Sequence, residues 1–245
     1  MRISFEVIDA NTVFGPSPTP AIDLSLDWLV QAIQNHGISR ACTLSTVGIC
    51  HNFVEGNAAT AAACAGKPEL IPVATVDPRG FFKSSDGADK ITNKGFRMFR
   101  LFPDEQDWPI SYAPLPGILD GIEAAGAPVM VGVGRPGDAS ALLPYAKGRH
   151  SAFILTNVTF DGMAEAACVM RQAENVFLET HSLQAPSALS MMVNEVGADR
   201  LIFGSGCPGA SLAGALKKIQ LSDVADGDKT KILSGNIKGL LGESQ

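Results

Sequence analysis

Along this chain, short apolar runs rich in β-branched residues alternate with longer stretches in which apolar residues recur at helical spacing. Read at a period of two, the runs predict strands at residues 5–13, 40–44, 70–76, 96–101, 128–133, 153–155, 176–180 and 200–203. Read at a period of 3.6, the stretches between them predict helices at 23–35, 52–65, 115–125, 139–146, 163–172, 186–196, 210–219 and 229–241. A weaker, polar helix is expected at 81–92. In the first helix Leu26, Leu29, Val30 and Ile33 share one face, and His36-Gly37 marks its end. Phe14-Gly-Pro-Ser-Pro-Thr-Pro20 is too rich in proline to be anything but a loop.

Strands that are apolar on both faces and separated by helices require a parallel sheet covered on its outside. Eight such repeats in 245 residues fit a closed (β/α)8 TIM barrel better than an open doubly wound sheet. No linker or shift of composition divides the chain, so residues 1–245 read as one α/β domain, with the strands at 5–9 and 200–203 expected as neighbours.

Composition narrows the function classes. Hydrophobic residues make up 46% and charged residues 18%, which excludes a disordered protein. The net charge of −6, with no long basic run, argues against a nucleic-acid surface and suits a cytoplasmic protein. There is no apolar stretch of about 18 residues for a membrane span. The strand pattern begins at once after Met1, so no signal peptide is expected. The five cysteines are widely spaced without a C-x-x-C, which points to neither a disulfide framework nor a zinc knuckle.

Arg200-Leu-Ile-Phe-Gly-Ser-Gly-Cys-Pro-Gly209 joins a buried strand to a glycine-rich loop. It resembles the last-strand signature R-L-L-F-G-S-D-x-P of the amidohydrolase-related family of metal-dependent hydrolases. Val7-Ile-Asp9 and the following Phe14-Gly15 are similar to that family's first strand, I-D-x-H-x-H-x-G. Gly95-Phe-Arg-Met-Phe-Arg-Leu-Phe-Pro103 is similar to its fourth, G-F-R-G-x-R-L-x-P. Val73 to Pro78, Asn175 to Thr180 and Lys231-Ile-Leu-Ser-Gly-Asn-Ile-Lys-Gly-Leu-Leu241 resemble the third strand, the seventh strand and the closing helix, in the family's order and spacing. The resemblance covers almost the whole chain and implies a barrel that binds divalent metal.

The family's ligands do not carry over. Its two first-strand histidines fall at Asn11 and Val13, those of strands five and six near Gly132 and Asn157 (or Thr156), and its strand-eight aspartate at Gly206. Valine and glycine side chains offer a cation no donor atom, so no metal and no other cofactor is expected.

Barrel sites lie at the carboxyl ends of the strands, where this sequence places Asn11, Ser45, His51, Asp77, Arg100, Arg135, Asn157, Glu179, His181 and Cys207. Arg100 reads as a clamp for a carboxylate or phosphate, aided by Arg135 and the amides after Gly204, or as an ion-pair partner of Asp77 or Glu179. His181 is the candidate general acid or base, and its other reading is a loop histidine bonded to backbone. Cys207 reads as a ligand contact or as a packed thiol. Asn11 and Asn157 read as hydrogen-bond groups for a ligand or for one another across the bore. Gly132-Val-Gly-Arg-Pro-Gly137 matches G-x-G-x-x-G, but the acid of a dinucleotide site, expected about 20 residues on, is replaced by Asn157.

The leading reading is a metal-free, catalytically degenerate member of the resembled family that keeps a pocket for a small carboxylate or phosphate. A metal-independent hydrolase of an activated ester or lactone is the alternative, and a nicotinamide-dependent oxidoreductase a distant one. Barrels of this type commonly associate, so a homo-oligomer stays open beside a monomer.

Overall fold

The structure, a computed structural model, describes residues 5–16, 22–80, 95–185 and 187–243. Eight strands form one parallel sheet in chain order: β1 (Ile8–Phe14), β2 (Arg40–Ser45), β3 (Leu70–Ala74), β4 (Met98–Leu101), β5 (Val129–Gly132), β6 (Phe153–Thr156), β7 (Val176–Glu179) and β8 (Leu201–Ile202). Ala10 N donates to Phe203 O at 3.0 Å and Gly206 N to Asn11 O at 3.0 Å, and Thr12 bridges Cys207 in parallel. The first and last strands thus meet, and the sheet is a nearly closed (β/α)8 barrel.

Among the described residues, helices pack outside or between the strands at α1 (Leu26–Asn35), α2 (Val47–Cys50), α3 (Phe53–Cys64), α4 (Leu115–Ala124), α5 (Asp138–Ala146), α6 (Met163–Gln172), α7 (Ala188–Val196) and α8 (Leu212–Gln220), before the closing helical segment. Their starts follow the local chemistry. Ser25 accepts from Trp28 N, Asn52 from Val54 N and Glu55 N, and Ser211 from Gly214 N, each side chain capping amides that the helix leaves unpaired. The turn α2 has no counterpart in the sequence reading, being too short to show a period. The helix expected at 81–92 lies outside the described residues. Among those described, no helix is long and apolar enough to cross a membrane.

Two cores follow from the alternation of the strands. Leu29, Ile33, Leu115, Ile118, Met170 and their neighbours fill the layer between helices and barrel. A second cluster, with Ile8, Ala10, Cys42, Leu44, Ile71, Val73, Met98, Met130, Ile154 and Ile202, takes every other residue of the strands and fills the bore. Its floor is the closing helical segment, which runs through Asp226–Thr230, a π-helical turn at Lys231–Gly235 and Asn236–Leu240, and contributes Ile237 and Leu241. Asn236 fastens that floor, donating to Ala198 O at 2.8 Å and Leu201 O at 2.6 Å.

One step further along each strand, the inward side chains change from apolar to polar or absent. Arg100 follows Met98, Gly132 follows Met130, Thr156 follows Ile154, Gly204 follows Ile202, and Glu179 ends β7. In β1 the register slips between Asp9 and Thr12, so that Asn11 joins this layer. Just after β4, Phe102, Gln106 and Trp108 are all buried; Gln106 Nε2 donates to Ile49 O at 3.1 Å and Trp108 Nε1 to Gln106 Oε1 at 3.0 Å.

Candidate active site

Glu179 is the centre of the polar layer. It is fully buried, and four donors converge on its carboxylate. Oε2 accepts from the Thr156 hydroxyl at 2.6 Å and Asn11 Nδ2 at 2.9 Å and lies 2.6 Å from His181 Nδ1, while Oε1 accepts from His181 N at 2.6 Å. Burial alone would raise its pKa. The facing His181 ring, with the Thr156 and Asn11 bonds, outweighs burial and holds it at about 2, so the carboxylate stays ionised.

The network continues on both sides of Glu179. Arg100 Nη1 donates to Asn11 Oδ1 at 2.6 Å, and its guanidinium lies 4.6 Å from the centre of the Phe102 ring. On the other side, the His181 ring lies within 2.8 Å of the Ser182 hydroxyl through Nε2. A chain of contacts therefore runs from a buried guanidinium, through an amide and a carboxylate, to an imidazole near the surface.

Asp9 supports this arrangement from below. Oδ1 accepts from Asn11 N at 3.0 Å and Ser205 N at 2.9 Å, pinning β1 to the loop after β8. Burial raises its carboxyl to about 6, with the Ser205 and Asn11 bonds offsetting part of that rise. Its Oδ2 has no partner among the described residues.

Two glycines make room for the ionic groups. A Cβ on Gly204 would stand 2.6 Å from Glu179 Cδ and 2.8 Å from Asn11 Cβ. Gly206 stands where the resembled family carries its aspartate, and a Cβ there would lie 2.8 Å from His181 Cδ2. The His181 ring, just after β7, thus stands where a side chain at position 206 would begin.

The structure places the other sequence candidates differently. Arg100 bonds neither Asp77 nor Glu179: Asp77 is taken by Arg79 at 2.8 Å, and Arg100 reaches Glu179 only through Asn11. Buried against Phe102 and bonded to Asn11, it is not an open clamp. Arg135 gives it no help, being paired with Asp104 at 3.3 Å and Asp107 at 3.4 Å. The amides after Gly204 are already engaged, Ser205 N by Asp9, Gly206 N by Asn11 O and Cys207 N by Ser205 Oγ.

Asn157 takes a left-handed conformation (φ 65°) beside Gly132 and does not meet Asn11; Thr156 supplies the inward polar group of β6. Cys207 is fully buried in the outer core, and burial pushes its thiol up to about 12, a state that presents no thiolate to a ligand. His51 lies exposed near Glu55 on the helical side of β2.

The sequence names Glu179 and His181 only as separate strand-end residues, whereas the structure pairs them as a dyad. Their i, i+2 spacing at a strand end places them on one face, which is the signal that could have revealed the pair. Beside His181 opens a cleft of about 540 Å³, walled by His181, Ser205, Ser211 and Lys218. Lys218 escaped the sequence reading because nothing local marks one lysine of a surface helix as facing a cleft.

Comparison with known proteins agrees with this architecture. The 5-carboxyvanillate decarboxylase from Sphingomonas paucimobilis superposes with a TM-score of 0.74 at 11% identity, covering 98% of this chain and 100% of that one. A 2,6-dihydroxybenzoate decarboxylase from Rhizobium gives 0.76 at 15%, covering 97% and 99%. A putative 2-pyrone-4,6-dicarboxylic acid hydrolase from Pseudomonas putida gives 0.74 at 18%, covering 97% and 98%. No curated protein matches the sequence. The amidohydrolase family model matches residues 46–242, from the end of β2 to the closing helical segment. With most of its length matched and its barrel shared, the chain belongs to the amidohydrolase family.

Proposed function

We propose that this protein is a metal-free amidohydrolase-family member that has lost metal-assisted hydrolysis and keeps a site for a small carboxylate or phosphate at the carboxyl ends of its strands. The observation that carries this reading is the Arg100–Asn11–Glu179–His181 chain, which occupies the layer where the family's ligands would stand. The donor set does not suit a divalent ion. Val13, Gly132 and Gly206 have no donor atoms, and both polar atoms of Asn11 are engaged. A guanidinium 2.6 Å from Asn11 Oδ1 repels a second cation. Among the described residues, no group of three His, Cys, Asp or Glu side chains converges on a point. The ligand class draws support from the structural neighbours, whose names specify carboxylated substrates.

The test is elemental analysis after exposure to zinc or manganese and desalting, alongside thermal melts with small carboxylates and phosphates. Metal well below one equivalent and a rise in Tm with an anion are expected. A stoichiometric metal beside Asn11 overturns the metal-free reading, and indifference to every anion overturns the ligand class.

A second reading, metal-independent hydrolysis of an activated ester or lactone, is favoured by the Glu179–His181 pair at the cleft. Glu179 fixes the ring through Nδ1, and Nε2, once the Ser182 hydroxyl 2.8 Å away gives place to a water, can accept that water's proton. The water oxygen bonds to the carbonyl carbon, the bond to the leaving oxygen breaks, and the proton passes from His181 to that oxygen. Hydrolysis of dihydrocoumarin in the presence of a chelator, lost in His181→Gln, is the expected result; an unchanged rate in that variant removes this reading.

A further inference from the structure

We propose that the cleft beside His181 is the anion subsite of this protein and that the Lys218 ammonium holds a carboxylate there. The proposal rests on the small-anion reading above and gives that ligand a place, one that Arg100, buried against Phe102 and bonded to Asn11, does not offer directly.

Lys218 projects from α8, half-buried, and donates to Thr180 O at 2.6 Å and His181 O at 3.1 Å. An ammonium carries three donors. Two are fixed on the backbone of the segment after β7. The third has no partner among the described residues; Lys218 lines this cleft and also a neighbouring one to which Asp223 contributes. Lys229, Lys231 and Lys238 each have an acidic partner, but among the described residues Lys218 makes no ion pair. The side chains lining the cleft include no acid. The buried carboxylate of this region, Glu179, already receives four hydrogen bonds behind His181.

A partly buried cation with a free donor and no counter-ion gains most from an anion that replaces its lost water. Burial lowers the pKa of Lys218 and Glu179 offsets part of that, as expected of a cation facing no carboxylate directly. The volume of about 540 Å³ lies within the range of about 300–1,000 Å³ common for small-molecule sites. His181 and Ser205 line the same cleft, so a carboxylate on Lys218 would bring the rest of the molecule near them.

Calorimetric titration of the full chain with benzoate, phenyl phosphate and neutral benzamide tests the assignment. Benzoate is expected to bind and benzamide not to. Lys218→Met is expected to weaken benzoate about tenfold or more, the loss of one charge-assisted bond, and Lys218→Arg to stay within about threefold of wild type. Acetylation of lysines in the wild-type protein, read by mass spectrometry, covers the case in which Lys218→Met fails to fold: saturating benzoate is expected to slow modification of Lys218 severalfold. If neither anion binds wild type, the small-anion reading falls and this proposal with it. Equal benzoate affinity in wild type and Lys218→Met, or unprotected Lys218, leaves that reading standing and removes Lys218. Binding of phenyl phosphate without benzoate overturns the carboxylate assignment in favour of a phosphate.

Discussion

Replacing Glu179 by glutamine removes the charge on which the polar layer converges, and the structure sets the size of the effect. The native carboxyl lies at about 2, against an ordinary 4.5, which at about 1.36 kcal/mol per pH unit makes ionised Glu179 worth roughly 3 kcal/mol at pH 7. A neutral amide adds a conflict. With its NH2 at the Oε2 position it faces Asn11 Nδ2 at 2.9 Å, and at the Oε1 position it faces His181 N at 2.6 Å, donor against donor in both. An unsatisfied buried group costs about 1–3 kcal/mol more, independent of pH. Because the folded pKa is depressed, the charge contribution is complete above the unfolded value of 4.5 and lost as pH falls towards about 2. Urea unfolding of wild type and Glu179→Gln at pH 7 and pH 3 should show a gap that narrows by roughly 2 kcal/mol at the lower pH. At pH 7 the charge part alone lowers Tm by roughly 6–12 °C for a domain of this size. A gap that is absent, or that stays constant between the two pH values, would refute an ionised Glu179 at the centre of the network.

Two further substitutions examine the space that glycine leaves around that network. Gly204→Ala places a methyl group against Glu179 and Asn11, both buried and hydrogen-bonded, and a loss of roughly 3 kcal/mol is expected in urea unfolding, the upper end for overpacking; a change below about 0.5 kcal/mol would show that the layer is looser than its geometry. Gly206→Asp restores the family's acid at a position with φ 69°, where its Cβ meets the His181 ring. A lower Tm and no stoichiometric zinc are expected; zinc retained at one equivalent with an unchanged Tm would mean that His181 does not occupy the aspartate's space.

The barrel was legible in the sequence because strand and helix periods are local properties. Each apolar run declares a strand without reference to its partners, and seven right-handed crossovers leave few ways to arrange them. The strand ends were legible for the same reason, so Asn11, Arg100, Glu179 and His181 could be named as residues of the mouth, and Gly206 as the departure from the family's acid. What they do with one another was not. Asn11 meets Glu179 across 168 positions of chain and Arg100 across 89, and those meetings depend on the register slip in β1 and on barrel closure. A slip of one residue decides which neighbour faces inward, a choice that an alternating pattern leaves open where apolar residues give way to polar ones. The same dependence made Thr156 the inward group of β6 instead of Asn157, and buried the Cys207 thiol in the outer core. Lys218 shows the limit most clearly: its helix was readable from its apolar face, but the two carbonyls that hold its amine belong to the segment after β7, and only the folded barrel brings them together.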